Sequence, residues 1–511
     1  MAKARAPKKG TARKAVSNNA VGIDSFATAD VSKKGIEVIG VNPIPKSSRT
    51  IGSRRVFIFW AMASASALTP ILGLLLIKLG ITDMLLAMFF GFLIGLIPAG
   101  LFAEMGRQIP APALVVSRKT YGYGTSSALS LLYTFANLGF FGLNDATGGL
   151  ILAALTHTNA LIWFGIMGAL QIILVLFGTK WLEFFYRFTS PILIGSYAIL
   201  TYFLLTSYRI NISALMAPSG SFTWGAAIST VVAFSILGWA YKISTITRFA
   251  KPSKQTKGVL SRFSYFTSAP VAIMLPVFMM GVLGLVSQSV AGNWNVAALS
   301  FPALSGITGI VVFVASIGAA LAIIHTNAMN LYPATADLLA SVQSLFKKKT
   351  REAIAQPVAT AVLGTLGVVL AAIGILNAVS NFLDLLAVII FPFTFIVLVD
   401  WYTNMRYTSK LKDFYIVPKG FWANFKPIAI ASTAIAVLIN IFGLGPLNPI
   451  FNYFPQTVFG SLVGAVIYFV LFKIFVYSPE KVLEKNETIE ENLNFLTAKS
   501  IEPIEAEGTE E

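Results

Sequence analysis

Twelve apolar runs, each about twenty residues long and separated by polar loops, constrain this chain more than any other feature. At 1.5 Å per residue, a helical run of that length crosses the roughly 30 Å hydrocarbon layer of a bilayer. No water is available there to pair backbone amides, so each run must satisfy its own hydrogen bonds, and the period-two alternation of a membrane barrel is missing. The expected fold class is all-α and polytopic. Its spans are placed at 56–77, 84–103, 125–155, 159–178, 188–207, 224–246, 265–287, 306–342, 355–376, 380–400, 424–445 and 456–477. Composition agrees with lipid as the solvent: 56% of the 511 residues are hydrophobic and 12% charged, against about a quarter charged in soluble domains.

A formal charge of +16 raises the question of nucleic acid, and the placement of the charges answers it. The connections after spans 3, 7, 9 and 11 contain no Lys or Arg. The alternate connections carry Arg107, Arg118 and Lys119; Lys180 and Arg187; Arg248, Lys251, Lys254, Lys257 and Arg262; Lys347, Lys348, Lys349 and Arg351; and Arg406, Lys410, Lys412, Lys419 and Lys426. Only Lys78 and Arg209 fall on the other side. This alternation follows the positive-inside rule and predicts cytoplasmic amino and carboxyl termini, with anionic headgroups rather than nucleic acid facing the basic loops. The first fifty residues lack the apolar core and cleavage site of a secretory signal. The chain has no cysteine, which excludes disulfides and thiolate metal sites.

The expected organisation is a basic, disordered cytoplasmic segment over 1–55, a ten-helix transport core over 56–400, a loop with spans 11 and 12 over 401–478, and an acidic tail over 479–511. In that tail Val482, Ile489, Leu493 and Leu496 keep roughly helical spacing. Two spans are interrupted. The first holds Ser64, Ser66, Thr69 and Pro70 halfway across, and Pro70 frees nearby carbonyls by removing a donor. The sixth is interrupted at Gly238, with Lys242 and a run of Ser and Thr after it. Broken spans five apart point to two inverted five-helix repeats, whose discontinuous helices supply solute and ion contacts near the midplane. Proline kinks that serve packing alone are the plainer reading of each break taken singly.

Spans 3 and 8 add polar groups at similar depth: Asn137, Asn144 and Asp145 in one, His325, Thr326, Asn327 and Asn330 in the other. Aromatic rings beside amides suit a flat heterocycle, with stacking on its face and paired donors and acceptors on its edge. The glycines at 139, 142, 148 and 149 read as helix-packing contacts. Lys242, His325 and Asp145 are ionisable groups inside the membrane and hence candidates for proton or ion coupling, with Asp145 and Lys242 a candidate ion pair. Against these stand a snorkelling lysine and a satisfied core histidine. Asp337 and Asp384 receive no transport role.

The stretches SASALT in span 1, GRQIPAPALVVSRKTYGYG after span 2, GFFG in span 3, GWA and ITRFAKP in span 6, and TNAMNLYPA in span 8 resemble the nucleobase:cation symporter-1 family, in particular its purine/cytosine permease branch. The resemblance spans most of residues 50–480. It implies a cell-membrane secondary transporter of the inverted-repeat fold that imports a nucleobase or related heterocycle such as cytosine, a purine, allantoin or a vitamin precursor. It also implies roles for residues. Phe140 stands at a ring-stacking position, Asn144 at a substrate amide, Gly238 and Trp239 at a backbone contact and second aromatic face, and Asn327 at the amide that grips the ring edge. Ser66 and Thr69 complete the set.

Two departures bear on coupling. Thr245 stands where some members carry a carboxylate before the Arg-Phe pair, and the sodium-site positions near Ala65 in span 1 read Leu321 and Ala322 in span 8. The expected cargo is therefore a small heterocycle with a cation, H+ or Na+, and no cofactor or metal is expected. A transporter for amino acids or amines would share the broken spans but should show a glycine-rich first break. A membrane-embedded enzyme would need convergent catalytic groups, and the chain has two His and no Cys. Oligomeric state is left open.

Overall fold

The structure, a computed structural model, describes residues 32–476 apart from 34, 219, 300, 302–304, 347–351 and 416–419. Residues 1–31, the basic cluster at Lys347, Lys348, Lys349 and Arg351, Lys419, and the acidic tail over 479–511 lie outside the described residues.

Each apolar run forms a helix or a broken helix. These are α1, in the pieces Ser53–Ser64 and Ile71–Leu75, α2 (Gly80–Gln108), α3 (Tyr123–Thr156), α4 (Ala160–Leu176), α5 (Gly178–Ser207) and α6, in the pieces Trp224–Phe234 and Ile236–Thr247. They continue with α7 (Val259–Ala291), α8 (Gly306–Phe346), α9 (Glu352–Ala372), α10 (Val379–Asp400), α11 (Pro427–Phe442) and α12 (Gln456–Phe475). Among the described residues nine helices are long and apolar enough to cross a bilayer, and a tenth counts if the bent pair Pro427–Phe442 and Gly445–Asn452 is one span. The other two runs fall short because α1 is broken and α4 has 17 residues.

The packing is inside out relative to a soluble bundle. Phe184, Phe188, Ile192 and Ile194 on α5, and Leu161, Ile166 and Ile173 on α4, are exposed, while Asn137, Asp145, Lys242, Asn327, Asn330 and Asp337 are buried. An apolar exterior around a polar interior is what lipid selects.

Helix pairing reveals the internal repeat. Adding five to each helix number maps contacts onto contacts: α1 packs on α7 as α6 packs on α2, α3 on α9 as α8 on α4, and α1 on α5 as α6 on α10. The pairs α2–α7, α3–α8 and α4–α9 map onto themselves. A shift of five crossings reverses direction through the membrane, so the halves are inverted repeats. Helices α11 and α12 pack on one another and on α10, outside the repeat.

The breaks lie at the centre. Residues 65–70 separate the pieces of α1, with Pro70 immediately before the second piece. In α6 the break falls at Ser235, with φ −124° and ψ −100°, three residues before the expected Gly238. Gly238 belongs to the first turn of the second piece, where a Cβ would collide with the carbonyl of Ala233 across the break. It accommodates the interruption rather than making it.

Part of the segment expected to be disordered is instead packed. Ile39, Val41 and Ile44 are fully buried, and the irregular strap around them crosses the end of the bundle that bears the basic loops. Gly40 donates to Gln356 of α9 (2.8 Å) and accepts from Arg248 (2.9 Å), and the Tyr415 hydroxyl donates to the Val41 carbonyl (2.8 Å). The Glu37 carboxylate accepts from the Thr179 amide (2.8 Å) and hydroxyl (3.0 Å) at the start of α5 and from the Tyr332 hydroxyl of α8 (2.6 Å). Arg49 donates to the carbonyls of Arg248 and Arg107, and Ile51 pairs with Ala250. The apolar run EVIGVNPI is too short to signal a span, and only tertiary contact buries it.

Candidate functional site

The two breaks face a small cavity bounded by α1, α3, α6, α7 and α8. Of the residues singled out in the sequence, Ser66, Thr69, Phe140, Asn144 and Trp239 line it, and Ser64, Ser235 and Thr326 supply further hydroxyls. Ile273 and Val277 of α7 close an apolar side that sequence reading missed, because a buried aliphatic in an apolar run carries no signal of what it faces. The volume is about 10 Å³, room for a single water. Phe140 and Trp239 meet edge to face with centroids 6.2 Å apart, and Trp60 stacks obliquely behind Trp239 at 6.1 Å.

The broken turn of α1 is held by hydroxyls that replace the missing helical donors. Thr326 of α8 donates to the Ala63 carbonyl (2.6 Å), Thr69 to the Ser64 carbonyl (2.6 Å) and Ser64 to the Ile273 carbonyl of α7 (2.6 Å). Ser66 donates to the Asn144 amide oxygen (2.5 Å), and the Asn144 nitrogen donates to the Phe140 carbonyl (2.7 Å). Freed carbonyls in a membrane interior need such partners. Here they come from helices of both repeats, which ties the geometry of the break to the positions of α3, α7 and α8.

Asn327 and Gly238 do not line the cavity. The Asn327 amide donates to the Phe141 carbonyl (3.0 Å) and to Gln171 of α4 (2.9 Å), and its oxygen accepts from Asn330 (3.2 Å). A polar relay results. Lys242 Nζ donates to Asn330 (2.9 Å), Asn330 to Asn327, Asn327 to Gln171, and Gln171 to Asp145 (3.4 Å). Lys242 and Asp145 thus stand at opposite ends of a chain of amides and form no ion pair. The ion pairs among the described residues are Arg55–Glu183, Arg107–Glu104 and Lys119–Asp413. Asp337, given no role from sequence, accepts from Asn137 (2.8 Å), which also donates to the Tyr241 hydroxyl (2.8 Å).

Lys242 does not snorkel. It is buried behind the aromatic walls, with Nζ 5.0 Å from the Phe140 centroid and 5.1 Å from that of Trp239. His325 lies toward α5. Its Nδ1 is 3.2 Å from the Ala322 carbonyl, its Nε2 bonds to the Thr189 hydroxyl, and its ring packs on Phe185 and Tyr186. Leu321, at the sodium-site position beside Ala65, faces outward, 38% exposed among the apolar exterior. Among the described residues no cluster of three or more His, Asp and Glu fits a metal ion.

Comparison with known proteins gives the family and the fold. Residues 43–471 match the family described as permease for cytosine/purines, uracil, thiamine and allantoin. A hydantoin permease of Microbacterium maritypicum is 25% identical over 341 residues, 64% of this chain and 68% of that protein. Among solved structures, a nucleobase-cation-symport-1 family transporter, Mhp1, in a closed conformation with bromovinylhydantoin bound superposes with a TM-score of 0.70 at 19% identity, over 91% of this chain and 100% of that one. Its inward-facing conformation gives 0.72 at 19% identity, over 93% and 99%. A Na+-coupled sialic acid symporter gives 0.53 at 12% identity, over 89% and 96%.

Proposed function

Because this chain belongs to the family of permeases for cytosine and purines, uracil, thiamine and allantoin, we propose that it imports a small nitrogen heterocycle together with a cation across the cell membrane by alternating access. It is an integral membrane transporter and not an enzyme. One observation carries the cargo reading: the cavity at the junction of both helix breaks is walled by two aromatic rings, Phe140 and Trp239, with hydroxyls and an amide around them. Rings take the faces of a flat solute and the polar groups its edge. Cargo entry must spread the walls, and spreading them disturbs hydroxyl bonds that join the α1 break to α3, α7 and α8, so occupancy and helix movement are coupled. The basic end of the bundle, with both termini, faces the cytoplasm in this reading.

For the cation, the hydrogen bonds of His325 favour a proton. A carbonyl only accepts, so Nδ1 carries a hydrogen toward Ala322 and the neutral ring leaves Nε2 to accept from Thr189. Thr189 also has the Phe185 carbonyl within reach at 2.6 Å. When the ring is doubly protonated, Nε2–H donates to Thr189 and the hydroxyl turns to Phe185, so both charge states keep a full set of bonds. The neighbouring Thr326 holds the α1 break, which puts this proton position one residue from the cavity wall.

The test is uptake by proteoliposomes of the full chain. Accumulation is expected to follow an inward proton gradient in sodium-free buffer, and His325→Gln is expected to lose gradient-driven accumulation while retaining solute exchange. Accumulation driven by sodium and indifferent to pH would overturn the proton assignment.

A further inference from the structure

The hydrogen-bonding groups left over at the cavity indicate which heterocycles fit. Asn144 accepts from Ser66 on its oxygen and gives one N–H to the Phe140 carbonyl, which leaves one amide N–H and one oxygen lone pair. The hydroxyl protons of Ser64, Thr69, Thr326 and Ser235 all go to protein carbonyls. What remains on the strong side is donors. Trp239 Nε1 is buried without a partner, and the indole stands in the cavity wall. Lys242, one helical turn further along the same face of α6, has three N–H donors and uses one, on Asn330. Its ammonium lies about one ring's depth behind Phe140 and Trp239, on a four-carbon stem.

No carboxylate lines the cavity: Asp145 is turned toward Gln171 and Asp337 toward Asn137. The side-chain acceptors that remain are hydroxyl oxygens whose own protons are committed and one lone pair of the Asn144 oxygen. Such oxygens suit a ring N–H, whereas an unpartnered indole N–H and an ammonium call for carbonyl oxygens or a ring anion.

We propose that the site selects a ring edge of the form carbonyl, N–H, carbonyl, as in imides and ureides such as uracil, xanthine and hydantoin, over amino-substituted rings such as cytosine and adenine, with Lys242 and Trp239 as the selecting residues. This rests on the heterocycle reading given above and narrows it. An exocyclic amino group brings two further donors to a donor-rich wall, and a cationic ring is repelled by the Lys242 ammonium behind Phe140 and Trp239. An imide gives each unfilled donor an oxygen and places its N–H between them for a hydroxyl oxygen.

Equilibrium binding of radiolabelled uracil, xanthine, hydantoin, cytosine and adenine to the detergent-purified full chain tests this. At least one of the first three is expected to bind about tenfold or more tightly than both amino-substituted bases, the range for a lost or unmade bond to a charged group. Lys242→Met is expected to weaken that binding by about tenfold or more and to shrink the preference, while Lys242→Arg keeps it. Trp239→Phe retains the ring and removes the N–H, so it provides an independent check by the same loss of preference if Lys242→Met does not fold. Cytosine or adenine binding as tightly as the imides, or a preference unchanged in Trp239→Phe and Lys242→Met, overturns the selection while leaving the heterocycle reading intact. Failure of all five compounds to bind removes the heterocycle reading, and this proposal falls with it.

Discussion

A methyl group at position 238 would be driven into the carbonyl of Ala233 across the α6 break. Gly238→Ala is therefore expected to destabilise the protein by about 1–3 kcal/mol, the usual cost of overpacking, read as a lower melting temperature in detergent. Asn327 is a different case. Replacing it by Ala strands the Gln171 oxygen and an Asn330 N–H, each buried group costing about 1–3 kcal/mol when left unpaired. Asn327→Ala is expected to lower thermal stability more than it weakens solute affinity, and a folded variant of normal stability that has lost binding would contradict this placement. The sequence could not separate Asn327 from Thr326. Successive residues on a helix point about 100° apart, and the midsection of α8 is buried all round, so polarity alone does not say which of the two faces the cavity. Trp239 and Phe140 were legible as cavity lining, because a large ring beside buried polar groups shapes whatever space those groups leave.

At the scale of elements, the break in α1 was readable from Pro70 because a missing donor is a property of the residue itself. The break in α6 was read three residues late, since Ser235 makes it through backbone angles that serine does not announce, and Gly238 only adapts to it. The second piece of α1 rests on α7 through backbone: a Cβ on Gly73 would meet Gly281 and Gly284, and one on Gly284 would meet the Pro70 carbonyl. Small residues permit this approach where lipid offers no hydrophobic drive for helix association. Gly284→Leu should push the short piece away from α7, which α1 and α7 would register together as lost stability and lost transport, whereas Gly165→Leu on α4, where a Cβ meets nothing, should be tolerated. Equal effects of the two substitutions would show that close approach is not what matters at Gly284.

For the whole molecule, the repeat was legible only as a spacing of two breaks. The pairing of helices under a shift of five needed coordinates, because the halves share geometry without sharing residues. The strap over 37–51 was illegible for the opposite reason: its apolar residues are too few to declare a buried element and are covered by contacts hundreds of residues away. Through Glu37 it joins the start of α5 to α8, one helix from each repeat, so separating those helices at the basic end requires breaking it. Glu37→Ala is expected to favour opening there. The chain has no cysteine, so a single Ser244→Cys, buried in α6 at that end, reports the change: thiol labelling should quicken in the Glu37→Ala background and stay slow without it. Equal rates would mean that the strap only covers the helices it crosses.

The smallness of the central cavity has a further consequence, for leakage. A space with room for one water does not hold a continuous file of waters, so at the depth of the two breaks the side chains leave no wet path along which protons hop or ions drift.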